Sequence, residues 1–417
     1  MSNQYRNILV HSLVNIGDVL LSTSAVALLR QVYPDAKITM MVRPAAAQLV
    51  TNNPVIDEAI IYDYKAKHKS FGKMWQMAQR LRSKHFDLSI SFDRKLRPAL
   101  LTWLAGIPVR VGPDKVFDDK PSRVTMLYTR TIPLRHDIVN TLQAETYQAI
   151  IRGFTGTTGS AKPVMARIMP ENEEKAGELL ASLLPGSDSG SVFNKKDQFV
   201  GDGIIVPPCN DKSPENNSTK NILSSRGATA TRRSPGPQTF FHDTLCKQSQ
   251  PDAQLSRPLR IALCVKGTFP LKTWPKERFA AVADQLAAQY TAQFFIIGAP
   301  EDRDYADEVI AFAKTPIANF CGQTSLVDLA ALLQKTDLLV TVDTGTAHIA
   351  ATVGVSMIVI YGCTSPKRWH PINPNAVVLT SNESCCPCAI PAEACPERRC
   401  LQHINVEDVT LEVQKKL

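Results

Sequence analysis

No apolar run in this chain approaches the roughly 20 residues that a membrane-spanning helix requires, so a membrane span is not expected. A secretory leader is not expected either. The first apolar stretch, "NILVHSL", begins at Asn7 without an h-region and a cleavage site, and it reads as a strand. A cytoplasmic location is the expectation. The ten cysteines do not make a secreted disulfide framework in 417 residues. Helix-turn-helix, RNA-recognition and finger patterns are lacking as well, which disfavours a basic nucleic-acid-binding protein, the reading that net charge alone would allow.

What is present is ordinary globular composition with an uneven charge. Hydrophobic residues make up 44% and charged residues 21%, and 417 residues are enough for two domains and extra segments. The net charge is +8, yet residues 1–170 hold 23 Lys and Arg against 12 Asp and Glu, so the first half carries the basic surface. The clusters are "KAKHKSFGK" from Lys65, "RLRSKH" from Arg80 and "RKLR" from Arg94. Each suits an anionic partner, such as a phosphorylated glycolipid or an anionic membrane face. Each is equally readable as a solvated helix face. Lys65, Lys67, Lys69, Arg94, Lys95 and Arg97 are the candidates for contact with such a partner.

The apolar pattern alternates between short β-branched runs and helical periodicity. In residues 1–170, "NILVHSL", "KITMMV", "IDEAIIYD" and "FDLSISF" read as strands, and "DVLLSTSAVALLRQVYP" and "FGKMWQMAQRLRSKH" as helices. Residues 186–258 lose periodicity and turn to Ser, Asn, Pro, Gly and Thr, as expected of a low-complexity insertion or linker. Its Asn217-Ser218-Thr219 sequon has no meaning in a cytoplasmic chain. Alternation resumes over residues 259–400 with "RIALCVKG", "PKERFAAVADQLAAQY", "AQFFIIGA", "DYADEVIAFAKT" and "SLVDLAALLQKT", and residues 401–417 close with an amphipathic helix from Asn405. This order predicts an α/β fold of two doubly wound, Rossmann-like domains with a cleft between them.

The most polar hexapeptide, Asp343–His348, lies inside "TVDTGTAHIAATVGVSMIVIYG" between two buried runs. "DLLVTVD" reads as a buried parallel strand, "TAHIAATVG" as a helix ended by Gly354 at C′, and "SMIVIYG" as the next strand. The hexapeptide therefore stands at the carboxyl end of a strand and opens a helix, where open α/β sheets bind ligands. The N–H groups of Thr344, Gly345 and Thr346 would face an anion, Gly345 would let the backbone approach, and the threonines could add hydroxyl donors. A plain reading remains: Asp343 and Thr344 cap the helix and His348 fills the core.

Gly17-Asp18, in "LVNIGDVLL", repeats that position in the first domain. Asp18 is either a helix cap or a carboxylate able to take a proton from a hydroxyl. An acidic site and an anion site facing one cleft suggest a reaction between an acceptor hydroxyl and a diphosphate-linked donor.

Four ordered motifs carry a resemblance: "ILVHSLVNIGDVLLSTSAVALLRQVYPDAKITMMV", "KTWPKERFAAVADQL", "IIGAPEDRDYADEV" and "VTVDTGTAHIAATVGVSMIVIYGCTSPKRWHP". Together they resemble glycosyltransferase family 9, the ADP-heptose:lipopolysaccharide heptosyltransferases of the GT-B fold. The resemblance spans both domains and leaves out residues 186–258. It implies an inverting transfer of heptose from ADP-heptose to a hydroxyl of the lipopolysaccharide inner core, at the inner face of the cytoplasmic membrane, with neither metal nor cofactor. It implies Asp18 as general base and Lys272 on the donor phosphates. It also implies Asp343, Thr344, Gly345 and His348 as the diphosphate- and sugar-binding loop, with Glu301 or Asp302 near the nucleotide. A nucleotide-sugar epimerase on the same fold is the alternative enzyme. The cluster "CCPCAIPAEACPERRC" (Cys385, Cys386, Cys388, Cys395, Cys400) lacks the paired spacing of a zinc ribbon. It is open to a metal or to a set of reduced, loop-stabilising thiols.

Overall fold

Among the described residues every pairing of sheet strands is parallel, so each connection must cross over through a helix or long loop. The structure is a computed structural model that describes residues 5–93, 95–115, 120–184, 257–381, 383–388, 395 and 397–417. Nearly all of the 186–258 segment, its sequon included, lies outside the described residues, as do Arg94 and much of the 389–396 loop.

The first half runs β1 (Asn7–Ser12), α1 (Ile16–Val32), β2 (Lys37–Val42), α2 (Ala47–Val50), β3 (Glu58–Ile61), α3 (Phe71–Arg82), β4 (Leu88–Ser91), α4 (Leu96–Leu104), β5 (Val109–Pro113), β6 (Arg130–Ile132), α5 (Gln143–Thr155) and α6 (Pro170–Ala181). The second half runs β7 (Leu259–Cys264), α7 (Lys276–Ala287), β8 (Ala292–Ile296), α8 (Arg303–Phe312), β9 (Ile317–Asn319), α9 (Leu326–Gln334), β10 (Leu338–Val342), α10 (Gly345–Val353), β11 (Ser356–Ile360), α11 (Pro366–Trp369), β12 (Ala376–Leu379), α12 (Arg399–Gln402) and α13 (Val406–Gln414).

The sheets are ordered β3-β2-β1-β4-β5-β6 and β9-β8-β7-β10-β11-β12. These are the same topology. In each, the chain starts at the centre, winds to one edge, and returns to wind to the other. The reversal lies between β1 and β4 in one sheet and between β7 and β10 in the other, which places a ligand-binding crevice at the carboxyl ends of those strands. β10 is buried at every residue and β1 at all but its first, because helices cover both faces.

Sequence explains the local elements well. α1 is buried continuously from Val19 to Leu29, and its small residues Ser22, Thr23, Ser24 and Ala25 allow close packing. The three hydroxyls return hydrogen bonds to carbonyls one turn earlier, so none is buried unsatisfied. α10 ends at Gly354 with φ 77°, the left-handed C′ position that favours glycine. α9 carries a full capping box, Ser325 with Asp328.

The two halves meet through helices. α6 packs on α9, and Asn172 Nδ2 donates to Asp328 Oδ1 at 2.7 Å. Gln48 Oε1 accepts from the Leu326 N–H at 2.7 Å. α1 lies against α10, and α13 packs on α7 within the second half. Among the described residues no helix is long and apolar enough to cross a membrane.

Candidate functional site

The reversal point of each sheet feeds directly into a helix. β1 leads through Asn15 to α1, and β10 leads through Asp343 and Thr344 to α10. Neither helix is capped by a side chain, so the plain capping role for Asp18, Asp343 and Thr344 does not apply. The first-turn N–H groups are left for another partner.

These two helix starts touch. A Cβ placed on Gly17 would lie 3.0 Å from His348 Cδ2 and 3.6 Å from Gly345 Cα, and one on Gly345 would lie 3.3 Å from Ile16 Cγ2. Glycine at both positions lets the positive ends of two helix dipoles converge, a setting suited to a diphosphate.

Each flank of this junction carries one chemistry. On the first half, Asp18 is half-buried and its Oδ1 accepts from the Tyr147 hydroxyl at 2.9 Å. Burial raises its pKa. Tyr147, Arg368, Lys272 and Lys95 pull the other way. On the second half, Lys272 Nζ lies 2.7 Å from Asp343 Oδ2, which also accepts from Thr364 Oγ1 at 2.6 Å. Asp343 is only 4% exposed. The Asp343 carboxylate holds the Lys272 ammonium in place. Trp274, two residues after Lys272, is fully buried, and its Nε1 donates to the Ile404 carbonyl at 3.1 Å. Lys-x-Trp-Pro is thus an anchor in the core with a cation at the crevice.

The remaining loop residues divide. Thr344 Oγ1 lies 3.8 Å from Cys264 Sγ at the end of β7, and the hydroxyls of Thr346 and Thr341 also bond this thiol. These threonine side chains therefore face Cys264. His348 is 5% exposed, and burial lowers its pKa to about 4, so its imidazole is neutral near pH 7. Among the described residues its Nδ1 has no partner, and it is buried. Its ring also lines a cavity of about 340 Å³ with Leu21, Lys162 and Asn373. A second cavity, of about 480 Å³, is bounded by Lys266, Phe269, Tyr305 and Arg398, next to the Lys272 loop.

Glu301 and Asp302 differ in their surroundings. Asp302 accepts from the Ala299 N–H at 3.0 Å and pairs with Lys266 at 3.0 Å, bracing its own loop. Glu301 is exposed, with only its carbonyl engaged by Lys266.

The basic candidates also divide. Lys65, Lys67 and Lys69 are exposed. Lys95 donates to the Leu13 carbonyl and to Tyr64 Oη, and Arg97 donates to Tyr62 Oη and to the His68 and Lys69 carbonyls. Arg97 is a brace for the 62–69 loop, whereas Lys95 also lies within electrostatic range of Asp18. Asp93, which the pattern did not single out, is 1% exposed and joins the two crevice loops by accepting from the Leu13 and Lys95 N–H groups.

The cysteines of the C-terminal loop that are described are free thiols, and Cys386 is hydrogen-bonded to Cys400. Burial raises the Cys386 and Cys400 pKa values and pushes Cys363 up to about 12, which keeps these thiols protonated. Among the described residues no three His, Cys, Asp or Glu side chains are grouped to hold a metal.

Comparison with known proteins agrees with this geometry. Residues 234–396 match the model of glycosyltransferase family 9 (heptosyltransferase). The chain is 24% identical over 369 residues to lipopolysaccharide heptosyltransferase 2 of Escherichia coli (strain K12), covering 87% of this chain and 85% of that one. It is 22% identical over the same length to lipopolysaccharide heptosyltransferase 3 of Escherichia coli. Among solved structures it superposes on a glycosyl transferase of family 9 from Veillonella parvula with a TM-score of 0.73 at 21% identity, over 100% of this chain and 98% of that one. It superposes on the E. coli ADP-heptose heptosyltransferase II with a TM-score of 0.67 at 19% identity, over 98% of each chain.

Two doubly wound halves whose crevice-side helix starts meet have the GT-B fold of these solved structures. The domain match covers the second half, and the full-length relatives extend it across the first. The similarities of both halves therefore run to glycosyltransferase family 9.

Proposed function

We propose that the protein is an inverting heptosyltransferase that moves heptose from ADP-heptose to a hydroxyl of the lipopolysaccharide inner core. One observation carries the chemistry. Asp18 on the first half and Lys272 on the second flank the point where two uncapped helix N-termini touch. The donor and acceptor identities follow the names of the relatives, which are lipopolysaccharide heptosyltransferases.

In this reading the donor diphosphate lies against the start of α10 and Lys272, with Asp343 and Thr364 holding the ammonium in place. Glu301 serves the nucleotide end. The acceptor hydroxyl lies at Asp18. As the bond from its oxygen to C1 forms, its proton passes to the Asp18 carboxylate, and the C1–oxygen bond to ADP breaks on the opposite face. The charge developing on the leaving phosphate meets Lys272 and the helix N–H groups. Attack from the opposite face inverts C1. The raised pKa of Asp18 makes it a stronger base than a solvated carboxylate.

The acceptor would be presented at the inner face of the cytoplasmic membrane, with the protein peripherally attached. Residues 64–82 hold six Lys and Arg and no acid, with Phe71 and Trp75 67% and 44% exposed beside them. Cationic and apolar groups together suit an anionic lipid surface. Binding to lipopolysaccharide-bearing vesicles is expected to weaken as salt rises, and salt-independent binding would remove this part of the reading.

The deciding experiment is incubation with ADP-heptose and truncated lipopolysaccharide, read by product mass. One added heptose is expected. Donor turnover without acceptor would favour an epimerase, and no turnover in either arm would overturn both.

A further inference from the structure

Asp18 takes its only side-chain hydrogen bond among the described residues from Tyr147, 129 positions away on α5. Tyr147 is 1% exposed, and its ring packs 5.4 Å from Phe92. Burial and the neighbouring carboxylate push its phenol well above the ordinary range, so it remains a donor at any working pH. One turn earlier on the same face of α5 stands Gln143, fully buried. Gln143 Oε1 accepts from Arg368 Nε at 3.1 Å and Nη2 at 2.8 Å, and Arg368 belongs to α11 in the second half. Four residues before Arg368 is Thr364, whose hydroxyl bonds Asp343 and so reaches Lys272. The short segment Thr364–Arg368 thus touches both chemistries: one end holds the aspartate that aims the lysine, and the other holds the helix that carries Tyr147.

We propose that Tyr147 is the positioning residue for the Asp18 carboxylate, and that Arg368, through Gln143, fixes this arrangement to the donor-binding half. The proposal rests on the reading of Asp18 as the base. With Oδ1 held by Tyr147, the carboxylate is turned to present Oδ2 to the acceptor hydroxyl. A buried tyrosine needs some partner, so simple satisfaction of Tyr147 is the competing explanation. The two differ in what happens to Asp18 when the hydroxyl is removed. The groups that face Asp18 are Tyr147 from α5, Arg368 from α11, Lys272 from the loop after β7 and Lys95 from the loop before α4, with the neutral His348 ring packed on Gly17 beside it.

Tyr147→Phe keeps the ring and its packing. The first measurement is titration of the Asp18 carboxyl by carbon NMR in the full chain with labelled aspartate, with no substrate present. Loss of a hydrogen bond to the charged form is expected to move its pKa up. The second is the pH–rate profile with whatever acceptor the wild type uses. The acidic limb is expected to move to higher pH and kcat to fall about 10- to 100-fold, with the donor KM little changed. The third is a double-mutant cycle with Arg368→Lys, which loses the two-pronged grip on Gln143. Effects on kcat that are less than additive are expected if both act through one chain of contacts. An unmoved Asp18 titration overturns the role of Tyr147, as does a fall in kcat with the acidic limb in place. Additive effects overturn the role of Arg368. A wild type that transfers no heptose overturns the substrate reading instead, and the NMR titration is unaffected by that result.

Discussion

Lys272 Nζ and Asp343 Oδ2 lie 2.7 Å apart with side chains 15% and 5% exposed, a nearly buried ion pair at the edge of the crevice. Removing one partner of such a pair leaves the other charge buried and uncompensated. Lys272→Ala is therefore expected to weaken both folding, by about 3 kcal/mol, and donor binding. The double variant Lys272→Ala with Asp343→Asn separates the two: denaturant unfolding should show most of the stability restored, and calorimetry with ADP should show the affinity still lost. Restored affinity in the double variant would remove Lys272 from the donor site.

Asp18→Asn tests the proposed base. Asparagine keeps the shape and can accept from Tyr147, but cannot take the proton. Turnover is expected to fall by about 10²–10⁴-fold with donor affinity unchanged. Because burial raises the Asp18 pKa above 3.8, folding disfavours its charged form. The resulting penalty is absent at pH below 3.8, appears as pH rises through that value, and is complete above the folded pKa. The Asn variant should therefore melt at or above the wild-type temperature at neutral pH and match it in acid.

His348 predicts a pH dependence of the opposite sense. Its folded pKa is about 4 against 6.5 unfolded, so its neutral form is favoured by folding. The stability this gives is full above pH 6.5 and is lost as pH falls from there to about 4. The loss amounts to about 3 kcal/mol. His348→Gln should flatten the melting-temperature profile over that window. An unchanged profile would place the imidazole in contact with solvent.

Gly17→Ala places a methyl 3.0 Å from the buried His348 ring, whereas Gly345→Ala meets its nearest atom, the Ile16 side chain, at 3.3 Å. The approach to the ring is the tighter of the two, and the Ile16 methyl can give. Gly17→Ala is expected to lower kcat/KM more than Gly345→Ala, because it separates the two helix starts. The reverse order in steady-state kinetics would show that the junction is not tightly set.

Much of this was legible in the sequence. The strands β1, β2, β3, β4, β7, β8, β10 and β11 and the helices α1, α3, α7, α8, α9, α10 and α13 follow from short β-branched runs and 3.6-residue periodicity, because both faces of each sheet are covered. Gly17-Asp18 and Asp343–His348 were readable as crevice positions, since any residue between a parallel strand and its helix lies at a carboxyl edge. Less visible were α4, α5, α6 and the edge strands β5, β6, β9 and β12, which are short or weakly patterned.

The sequence by itself determined the two doubly wound halves and where in each the chemistry would sit, because those depend on local spacing and on the chirality of βαβ units. Tertiary structure alone decided which side chains meet. Tyr147 reaches Asp18 across 129 residues, Arg368 reaches Gln143 across 225, and Lys272 reaches Asp343 across 71. Nothing in the neighbours of Tyr147 in "QAETYQAII" marks it off from a core tyrosine. Arg97 resembled a ligand-binding cation until the fold turned it onto the carbonyls of the 62–69 loop, and Asp302 was turned onto its own loop while Glu301 was left exposed. A hydrogen bond is set within tenths of an ångström, and only the packing of two sheets and the helices between them brings residues so far apart in the chain to that distance.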